Sequence, residues 1–400
     1  MVNPPTRNRN QWTLNNTTNY LERIAILLMI VNGLGQLWFP SAYNHKRSRH
    51  FKICDEIFQN PEKFKTDYSE MESKMKVFVY PDGACGSSNG QLRIDSVHAS
   101  EEFFFNNISK SKFSTQNPDE AQFFFIPLNC LQLDKLPNIV EEFFYSLIVK
   151  YSYWNTDSSH HFVVACRGSF VNAIEQVPLL VNHATRIVCS PSHGATATTL
   201  CGRARTLPQV QQPFLHQAGL INFKNRNMLG FWAGQTNSDI RRKLVELWQN
   251  DTDLDIQNSN INANHRGHFL YYEKFYKSKF CICPGGSRTE GGRLASAIHY
   301  GCVPVILSDH FDLPFTNFLD WKKFSVQLNE SDVYDLKRIL KAIPKDKYKD
   351  LQRNTVKAQM HFKWNSAPKK YDAFHMVMFE LWSSTPPNQI FSQQPLLFDD

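Results

Sequence analysis

The sequence predicts an α/β protein with two Rossmann-like domains facing a cleft, preceded by an N-terminal membrane-anchor helix. Three observations predict this fold class. From Met75 onward, short runs that are apolar on both faces alternate with amphipathic helical stretches. A polar region at 191–227 interrupts this alternation, which then restarts. A separate apolar run lies near the N-terminus. Strands that are apolar on both faces are typical of parallel sheets covered by helices, and repeated strand–helix order is typical of α/β domains.

Composition and charge exclude several classes of protein. The 400 residues are enough for about two to three domains. The net charge of +7, from 44 basic and 37 acidic residues, is too mild for a dedicated nucleic-acid binder. The content of glycine and proline excludes collagen-like and low-complexity chains. Nine cysteines are an odd number, so at least one thiol stays outside any disulfide within the chain.

The apolar run from Ile24 to Phe39 predicts the anchor helix, which we place at residues 23–40. The run is shorter than the ~20 residues that a spanning helix needs, so a buried or interfacial helix is the alternative. No small-residue cleavage site is evident, which favours an anchor over a removable signal peptide.

Four predicted strands with helices between them form the first domain, at residues 75–220. The strands are expected at 76–80, 121–128, 161–166 and 185–189. Amphipathic patterns predict helices at 96–108 and 137–151. The polar region that follows is interpreted as the connection to the second domain.

The alternation restarts in the second domain, residues 221–345. Its strands are expected at 228–234, 280–283, 303–307 and 324–328. Asn237 or Ser238 is placed to cap the helix that follows the first of them. Pro304 within a strand indicates an edge position or a special backbone requirement. Residues from Ser331 onward read as helices, and 346–400 form a C-terminal helical segment.

The most informative segment, 278–315, reads as strand, glycine-rich loop, helix and second strand. Gly285 and Gly286 leave the strand without side-chain bulk, and the next helix has unpaired N–H groups in its first turn. Such a helix N-terminus is a natural diphosphate site. Arg288 and Arg293 can add charge-assisted contacts to phosphate oxygens.

The end of the same segment also carries polar residues. Gly301 is placed to end the helix as a C-cap. The second strand then delivers Asp309 and His310 to its carboxyl end, where ligands bind in open α/β sheets. Strand–loop–helix units with glycines also occur in proteins that bind nothing at that point. Spacing alone therefore leaves two interpretations open, a ligand-binding site and a purely structural turn.

Several segments in one order resemble the exostosin-like glycosyltransferases of family 47, particularly their plant branch. The resemblance covers the chain from about Lys76 to about Ile343. Its motifs are Lys76-Val-Phe-Val-Tyr80, Phe123-Phe-Phe-Ile-Pro127, Leu229-Gly-Phe-Trp-Ala-Gly234, Ser278-Lys-Phe-Cys-Ile-Cys-Pro284, Gly301-Cys-Val-Pro-Val305 and Asp312-Leu-Pro-Phe315.

The resemblance implies a GT-B fold and an inverting transfer of a sugar from a nucleotide diphosphate donor, a UDP-sugar, to a cell-wall polysaccharide or glycan. It implies a single-pass type II protein of the Golgi membrane, with a cytosolic tail at 1–22, a stem at 41–74 and a luminal catalytic part. No metal is expected, and a complex with other glycosyltransferases is a further expectation. The donor-nucleotide residues would be Gly285, Gly286, Ser287, Arg288, Glu290, Arg293 and Ser296.

Two departures from the family pattern support a second interpretation. Ser296 stands where family members commonly carry Glu or Asp, and Arg167-Gly168 follows the third strand where many plant members have His-Asp. Glu290 is a candidate substitute carboxylate. The alternative is therefore a catalytically degenerate homologue that acts as a non-catalytic partner in a Golgi glycan synthase complex.

An inverting transfer needs a general base that deprotonates the acceptor hydroxyl. Glu101 matches the acidic position after the first strand of family members, and Asp309 is the second candidate. An exposed helix carboxylate is the alternative interpretation for Glu101. The Asp-x-Asp pattern at 251–255 lies in a polar loop, so we interpret it as solvated and not as a metal site.

Sequons and cysteines complete the candidate sites. Sequons begin at three positions that a luminal protein exposes to glycosylation, Asn107, Asn250 and Asn329. Cys189 and Cys201 are one candidate disulfide pair, although sequence does not fix the connectivity. Cys281 and Cys283 have no second pair at zinc spacing, so a zinc site is not predicted.

Overall fold

Two parallel β-sheets organise the part of the chain that the structure, a computed structural model, describes. The described residues are 55–81, 99–128, 137–156, 160–166, 168–189, 204–210, 213–214, 216–258, 265–286, 291–309 and 312–384. The strand pairs in both sheets are parallel. Parallel neighbours need crossover connections, and helices supply them here. The α/β prediction with two parallel sheets is therefore confirmed.

The first sheet has six strands in the order β2-β1-β3-β4-β5-β6. They are β1 (Val77–Val79), β2 (Ser114–Thr115), β3 (Phe123–Phe125), β4 (His161–Ala165), β5 (Thr185–Val188) and β6 (Ala204–Thr206). The helices described along this half are α1 (Pro61–Lys74), α2 (Ala99–Lys110), α3 (Pro137–Lys150), α4 (Tyr153–Thr156), α5 (Gly168–Glu175) and α6 (Pro178–His183). Phe78, Phe124, Phe144 and Val163 pack together in its core.

The second sheet has five strands in the order β11-β10-β9-β7-β8. They are β7 (Met228–Gly234), β8 (Leu254–Asn258), β9 (Ser278–Pro284), β10 (Val303–Leu307) and β11 (Val326–Leu328). The helices described here are α7 (Asp239–Trp248), α8 (His265–Lys277), α9 (Gly291–His299), α10 (Leu336–Ala342), α11 (Lys345–Phe362) and α12 (Ala373–Ser383).

Both sheets have a topological switch point, where the strand order changes direction. It lies between β1 and β3 in the first sheet and between β7 and β9 in the second. Connections leave to opposite sides of the sheet at such a point, which opens a crevice at the carboxyl ends of the strands. Ligand sites are therefore expected at these two places.

Each strand predicted from sequence is present, with its ends shifted by a few residues. Sequence reasoning missed β2, β6 and β8, and all three are edge strands. An edge strand lacks the two-sided apolar pattern of a central parallel strand, so its signal is weak. Pro304 was expected at an edge or at a position with a special backbone requirement. β10 is a central strand between β9 and β11, but its ladder with β11 begins only at Val305, so Pro304 is paired on the β9 side alone.

Residues 55–74, which the sequence placed in a stem, pack against the C-terminal helices. The Phe64 ring of α1 is 2% exposed and lies 4.8 Å from the Phe379 ring of α12. The Tyr68 ring lies 4.4 Å from that of Tyr371. The folded body thus begins no later than Asp55, and helix α1 belongs to it.

The predicted anchor at 23–40 lies outside the described residues. Among the described helices, none combines the length and the apolar character needed to cross a membrane.

Candidate functional site

Gly285 forms the turn where β9 ends, at the switch point of the second sheet. Its N–H donates to the Leu307 carbonyl at 2.9 Å, and its carbonyl accepts from Ser238 Oγ at 2.9 Å. A Cβ here would lie 2.7 Å from Ser308 Oγ, so a larger residue would force a shift. The exposed Gly286 follows it. The other predicted loop residues lie outside the described part of the chain: Ser287, Arg288 and Glu290.

Helix α9 begins after this loop, with the positive end of its dipole at Gly291. A Cβ on Gly291 would lie 2.8 Å from the Gln209 Cβ, and the N–H of Gly292 donates to Gln209 Oε1 at 3.2 Å. At the other end, Gly301 has a φ of 66° and follows the last helical turn, as its predicted role of C-cap requires. The first turn of α9 therefore meets a residue that leaves the first sheet.

Arg293 directs most of its N–H groups to protein acceptors. Nε donates to the Ile282 carbonyl at 2.6 Å, and the terminal nitrogens donate to the Phe231 carbonyl at 2.8 Å and the Tyr271 hydroxyl at 3.1 Å. The guanidinium also lies 4.8 Å from the Phe231 ring. It thus joins β7 to β9, the two strands of the switch point. This geometry favours a role in holding β7 and β9 together over the direct phosphate contact expected from sequence.

Ser296 donates its hydroxyl to the Gly292 carbonyl at 2.8 Å, so its hydrogen atom is used within its own helix. Such a bond is common for serine inside a helix. No charged group is supplied at this position, as the sequence indicated.

A second carboxylate accompanies Asp309 at the carboxyl edge of the second sheet. Asp309 is exposed after β10 and accepts from the Glu330 N–H at 2.9 Å. Glu330 Oε1 lies 3.3 Å from the Cβ position of Gly285. Sequence reasoning missed Glu330 because β11, which delivers it to this edge, is distant in the chain. His310 lies outside the described residues.

Glu101 lies in the first turn of α2, near the end of β4. Its Oε2 accepts from the Cys166 N–H at 2.7 Å. Cys166 forms a disulfide with Cys189, whose carbonyl lies 3.6 Å from the Cβ position of Gly291. The candidate base and the start of α9 therefore lie on the two sides of one disulfide. The candidate pairing of Cys189 with Cys201 is wrong, because spatially adjacent strands bring Cys166 to Cys189.

A second disulfide joins Cys281 of β9 to Cys302 just before β10, with their Cα atoms 5.7 Å apart. The Cys283 thiol is buried and donates to the Cys281 carbonyl at 3.5 Å. Across the described residues there is no group of three or more side chains able to hold a metal ion.

Lysine ammonium groups neutralise the Asp-x-Asp pattern. Lys337 Nζ lies 2.8 Å from a carboxylate oxygen of both Asp251 and Asp253, and Lys341 Nζ lies 2.8 Å from Asp253. Hydrogen bonds from the two lysines lower the pKa of Asp253 to about 2. Because ammonium groups stand where a metal would bind, this loop offers no metal–nucleotide site.

The three sequons differ in accessibility. Asn107 is fully buried, and its Nδ2 donates to the Asn365 carbonyl at 3.0 Å. That burial closes Asn107 to glycosylation in the folded protein, so the prediction for this sequon is wrong. Asn250 and Asn329 are exposed and remain predicted sites.

Two titratable side chains, Glu380 and His361, are buried in the C-terminal helices. Burial raises the pKa of Glu380 on α12 to about 8, against the opposing effects of Arg205 on β6 and the Phe315 N–H. Burial lowers the pKa of His361 on α11 to about 4, although its Nδ1 lies 3.0 Å from the Tyr371 carbonyl. Sequence reasoning missed both because local patterns do not reveal which helix faces become covered.

Comparison with known proteins identifies a family. The exostosin GT47 domain matches residues 71–343. "Probable glycosyltransferase At3g07620" of Arabidopsis thaliana is 30% identical over 347 residues, which cover 82% of this chain and 72% of that protein. "Probable beta-1,4-xylosyltransferase IRX10" of the same plant is 28% identical over 352 residues, which cover 78% of this chain and 83% of that protein.

A solved structure is also similar, at a low score. "Crystal Structure of TarM" has a TM-score of 0.31 and 10% identity, and the match covers 62% of this chain and 58% of that one. A likeness at this score carries no argument about function. The family match instead spans the greater part of the chain and includes both sheets. The chain therefore belongs to the exostosin GT47 family.

Proposed function

We propose that the protein is an inverting glycosyltransferase that moves a sugar from a UDP-sugar to a cell-wall polysaccharide or other glycan. Membership of the GT47 family supports the reaction class, and the similarity to a probable glycosyltransferase and a probable beta-1,4-xylosyltransferase supports the transfer of a sugar. The observation that carries the proposal is the switch point of the second sheet. There Gly285, the N-terminus of α9 and Arg293 come together at the carboxyl ends of β7 and β9.

The donor diphosphate binds at the N-terminus of α9 in this proposal. Backbone N–H groups and the helix dipole favour negative charge there, and they stabilise the diphosphate as it leaves. Gly286 and the loop residues Ser287, Arg288 and Glu290 contribute further contacts. Arg293 acts by holding β7 and β9 together and through its positive charge.

Glu101 acts as the general base. Its carboxylate accepts the proton of the acceptor hydroxyl, whose oxygen attacks the anomeric carbon from the face opposite to the diphosphate. The bond from that carbon to the diphosphate then breaks, and its electron pair leaves with UDP. The Cys166 N–H, 2.7 Å from Glu101 Oε2, holds the carboxylate at the end of the first sheet. Asp309, at the carboxyl edge of the second sheet, is the second candidate.

The proposed setting is the Golgi lumen, with the predicted anchor in the membrane and the body folded outside the cytosol. The two disulfides support an oxidising compartment. We expect no metal requirement, so activity should persist in EDTA.

A donor panel tests the proposal. Calorimetry with UDP and a set of UDP-sugars should give saturable binding to the folded body, and one sugar should be transferred to a cell-wall oligosaccharide. Product stereochemistry by NMR should show inversion. A protein that binds neither UDP nor any UDP-sugar would contradict the enzyme interpretation.

A non-catalytic homologue is the second candidate, and Ser296 favours it. Its hydroxyl is bonded within α9, and no carboxylate stands at this position. Under this alternative, the protein binds a partner glycosyltransferase and transfers no sugar. UDP binding without turnover on any acceptor, together with co-purification of an active partner, would support it.

A further inference from the structure

The segment that leaves β6 is held between the two sheets by hydrogen bonds from both halves. The Leu207 N–H donates to the Val188 carbonyl at 2.8 Å. The Pro208 carbonyl accepts from Ser100 Oγ at 2.9 Å and from Trp364 Nε1 at 2.9 Å. These bonds fix the backbone of the two residues that precede Gln209. The Gln209 side chain reaches the start of α9.

The carboxamide of Gln209 has one satisfied and one unsatisfied end. Oε1 accepts from the Gly292 N–H, while the buried Nε2 has no hydrogen-bond partner among the described residues. The residue as a whole is 2% exposed. Burying amide hydrogens without an acceptor costs free energy, so an unpartnered donor at this place calls for an explanation.

The carboxamide of Gln209 caps α9 as an additional peptide group would, because its oxygen accepts a hydrogen bond from a helical N–H. Its dipole therefore adds to that of α9, and the positive end moves outward to Nε2. A cavity of about 10 Å³, lined by Gln209, Gly291, Thr206 and Pro314 among others, lies beside it. Such a cavity has room for about one water. An anion bound at the N-terminus of α9 would therefore meet the positive end of this amide dipole.

We propose that Gln209 is part of the diphosphate site: its carboxamide extends the first turn of α9 and presents its N–H groups to the donor phosphates. The inference rests on the proposed function. It adds a residue from the segment that follows the first sheet to a site otherwise built from the second sheet, and so couples donor binding to the junction between the two.

The test compares UDP with uridine, because only UDP carries the diphosphate. We expect Gln209→Ala to weaken UDP binding about tenfold in calorimetry, the scale of one lost charge-assisted hydrogen bond, and to leave uridine binding within about twofold. Gln209→Glu should weaken UDP binding further through repulsion. A carboxylate at a helix N-terminus is favourable for folding, so this variant keeps the test valid if the alanine variant unfolds.

Gln352 provides a matched control. It is fully buried at the opposite end of α9, where its Nε2 donates to the Gly301 carbonyl at 3.0 Å. Its unpartnered atom is the acceptor Oε1, which cannot bind an anion. Gln352→Ala should lower stability without changing the ratio of UDP to uridine affinity.

Three outcomes would overturn the inference. Unchanged UDP affinity in both Gln209 variants would remove the residue from the site while leaving the proposed function intact. Equal losses for UDP and uridine would show a structural role only. A wild-type protein that binds neither ligand would overturn the proposed function together with this inference.

Discussion

The guanidinium of Arg293 supplies donors to carbonyls within two central strands, at the point where the ladder between the strands ends. It donates to Phe231 of β7 and Ile282 of β9, which lie side by side at the switch point. A hydrogen bond from a charged donor contributes about 1.5–3 kcal/mol, and a buried carbonyl left without a donor is costly. Lysine lacks the planar fork that reaches several acceptors at once. Arg293 therefore stabilises the edge that carries Gly285.

We expect Arg293→Ala to lower the free energy of unfolding by about 2–4 kcal/mol, because several hydrogen bonds to carbonyls of β7 and β9 are lost together. Arg293→Lys should recover only part of the loss. Urea denaturation measures both variants. Arg242→Ala removes an exposed arginine on α7 and should change stability by about 0.5 kcal/mol or less. An Arg293→Ala protein as stable as the wild type would contradict the assignment.

At the scale of elements, helix α1 joins the N-terminal part of the body to its C-terminal helices. Beyond Phe379, the Phe64 ring contacts those of Phe58 at 4.2 Å and Phe318 at 5.8 Å. Aromatic residues bury large apolar areas, so a cluster of this kind contributes strongly to stability. The resemblance to the family placed α1 in a stem. The apolar stripe of α1, formed by Phe64, Tyr68 and Met71, finds its partner only in the folded chain.

Truncating Phe64 tests this role of α1. We expect Phe64→Ala to destabilise the protein by about 3–5 kcal/mol, the usual cost of removing a buried phenylalanine. Tyr145→Ala, at a position 52% exposed on α3, is the aromatic control and should have little effect. Thermal and urea denaturation measure the difference. If Phe64→Ala and Tyr145→Ala were equally mild, α1 would be a loosely attached segment.

At the scale of the whole molecule, Glu380 and His361 make stability depend on pH in opposite directions. Glu380 has a pKa of about 8 when folded, against an ordinary value of 4.5, so its contribution to stability is complete below the lower value and is lost as pH rises through about 8. His361 has a pKa of about 4 when folded, against 6.5, so its contribution is complete above 6.5 and is lost as pH falls toward 4. Together, the two buried groups place the pH of maximum stability in the mildly acidic range.

Replacing the Glu380 carboxyl group with a neutral amide removes the loss of stability that its ionisation causes as pH rises. We expect the stability of Glu380→Gln relative to wild type to rise from about pH 5 to about pH 8, by on the order of 2–4 kcal/mol. Urea denaturation at the two pH values measures it. Glu246→Gln, an exposed control on α7, should show no such trend. Identical pH dependence of Glu380→Gln and wild type would mean that Glu380 is ionised at neutral pH.

Some residues of the candidate site could be predicted from the sequence, and others only the structure reveals. Gly285 and Gly301 were predictable, because a turn without side-chain bulk and a left-handed C-cap leave a local signal. Arg293 was predictable as a residue of the site, but its hydrogen bonds to the Phe231 and Ile282 carbonyls were not, since these carbonyls acquire their positions only when β7 and β9 pair. Gln209 and Glu330 left no signal, because each reaches the site from a distant segment.

By itself, the sequence determined the strand–helix alternation, the central strands of both sheets, the glycine-rich turn and the family. These follow from local periodicity, turn chemistry and motif order, which neighbouring residues specify together. The tertiary structure decided the edge strands, the pairing of Cys166 with Cys189, the burial of Asn107 and Glu380, and the docking of α1. Those features depend on which surfaces meet after folding, and contacts between residues far apart in the chain leave no pattern in either segment alone.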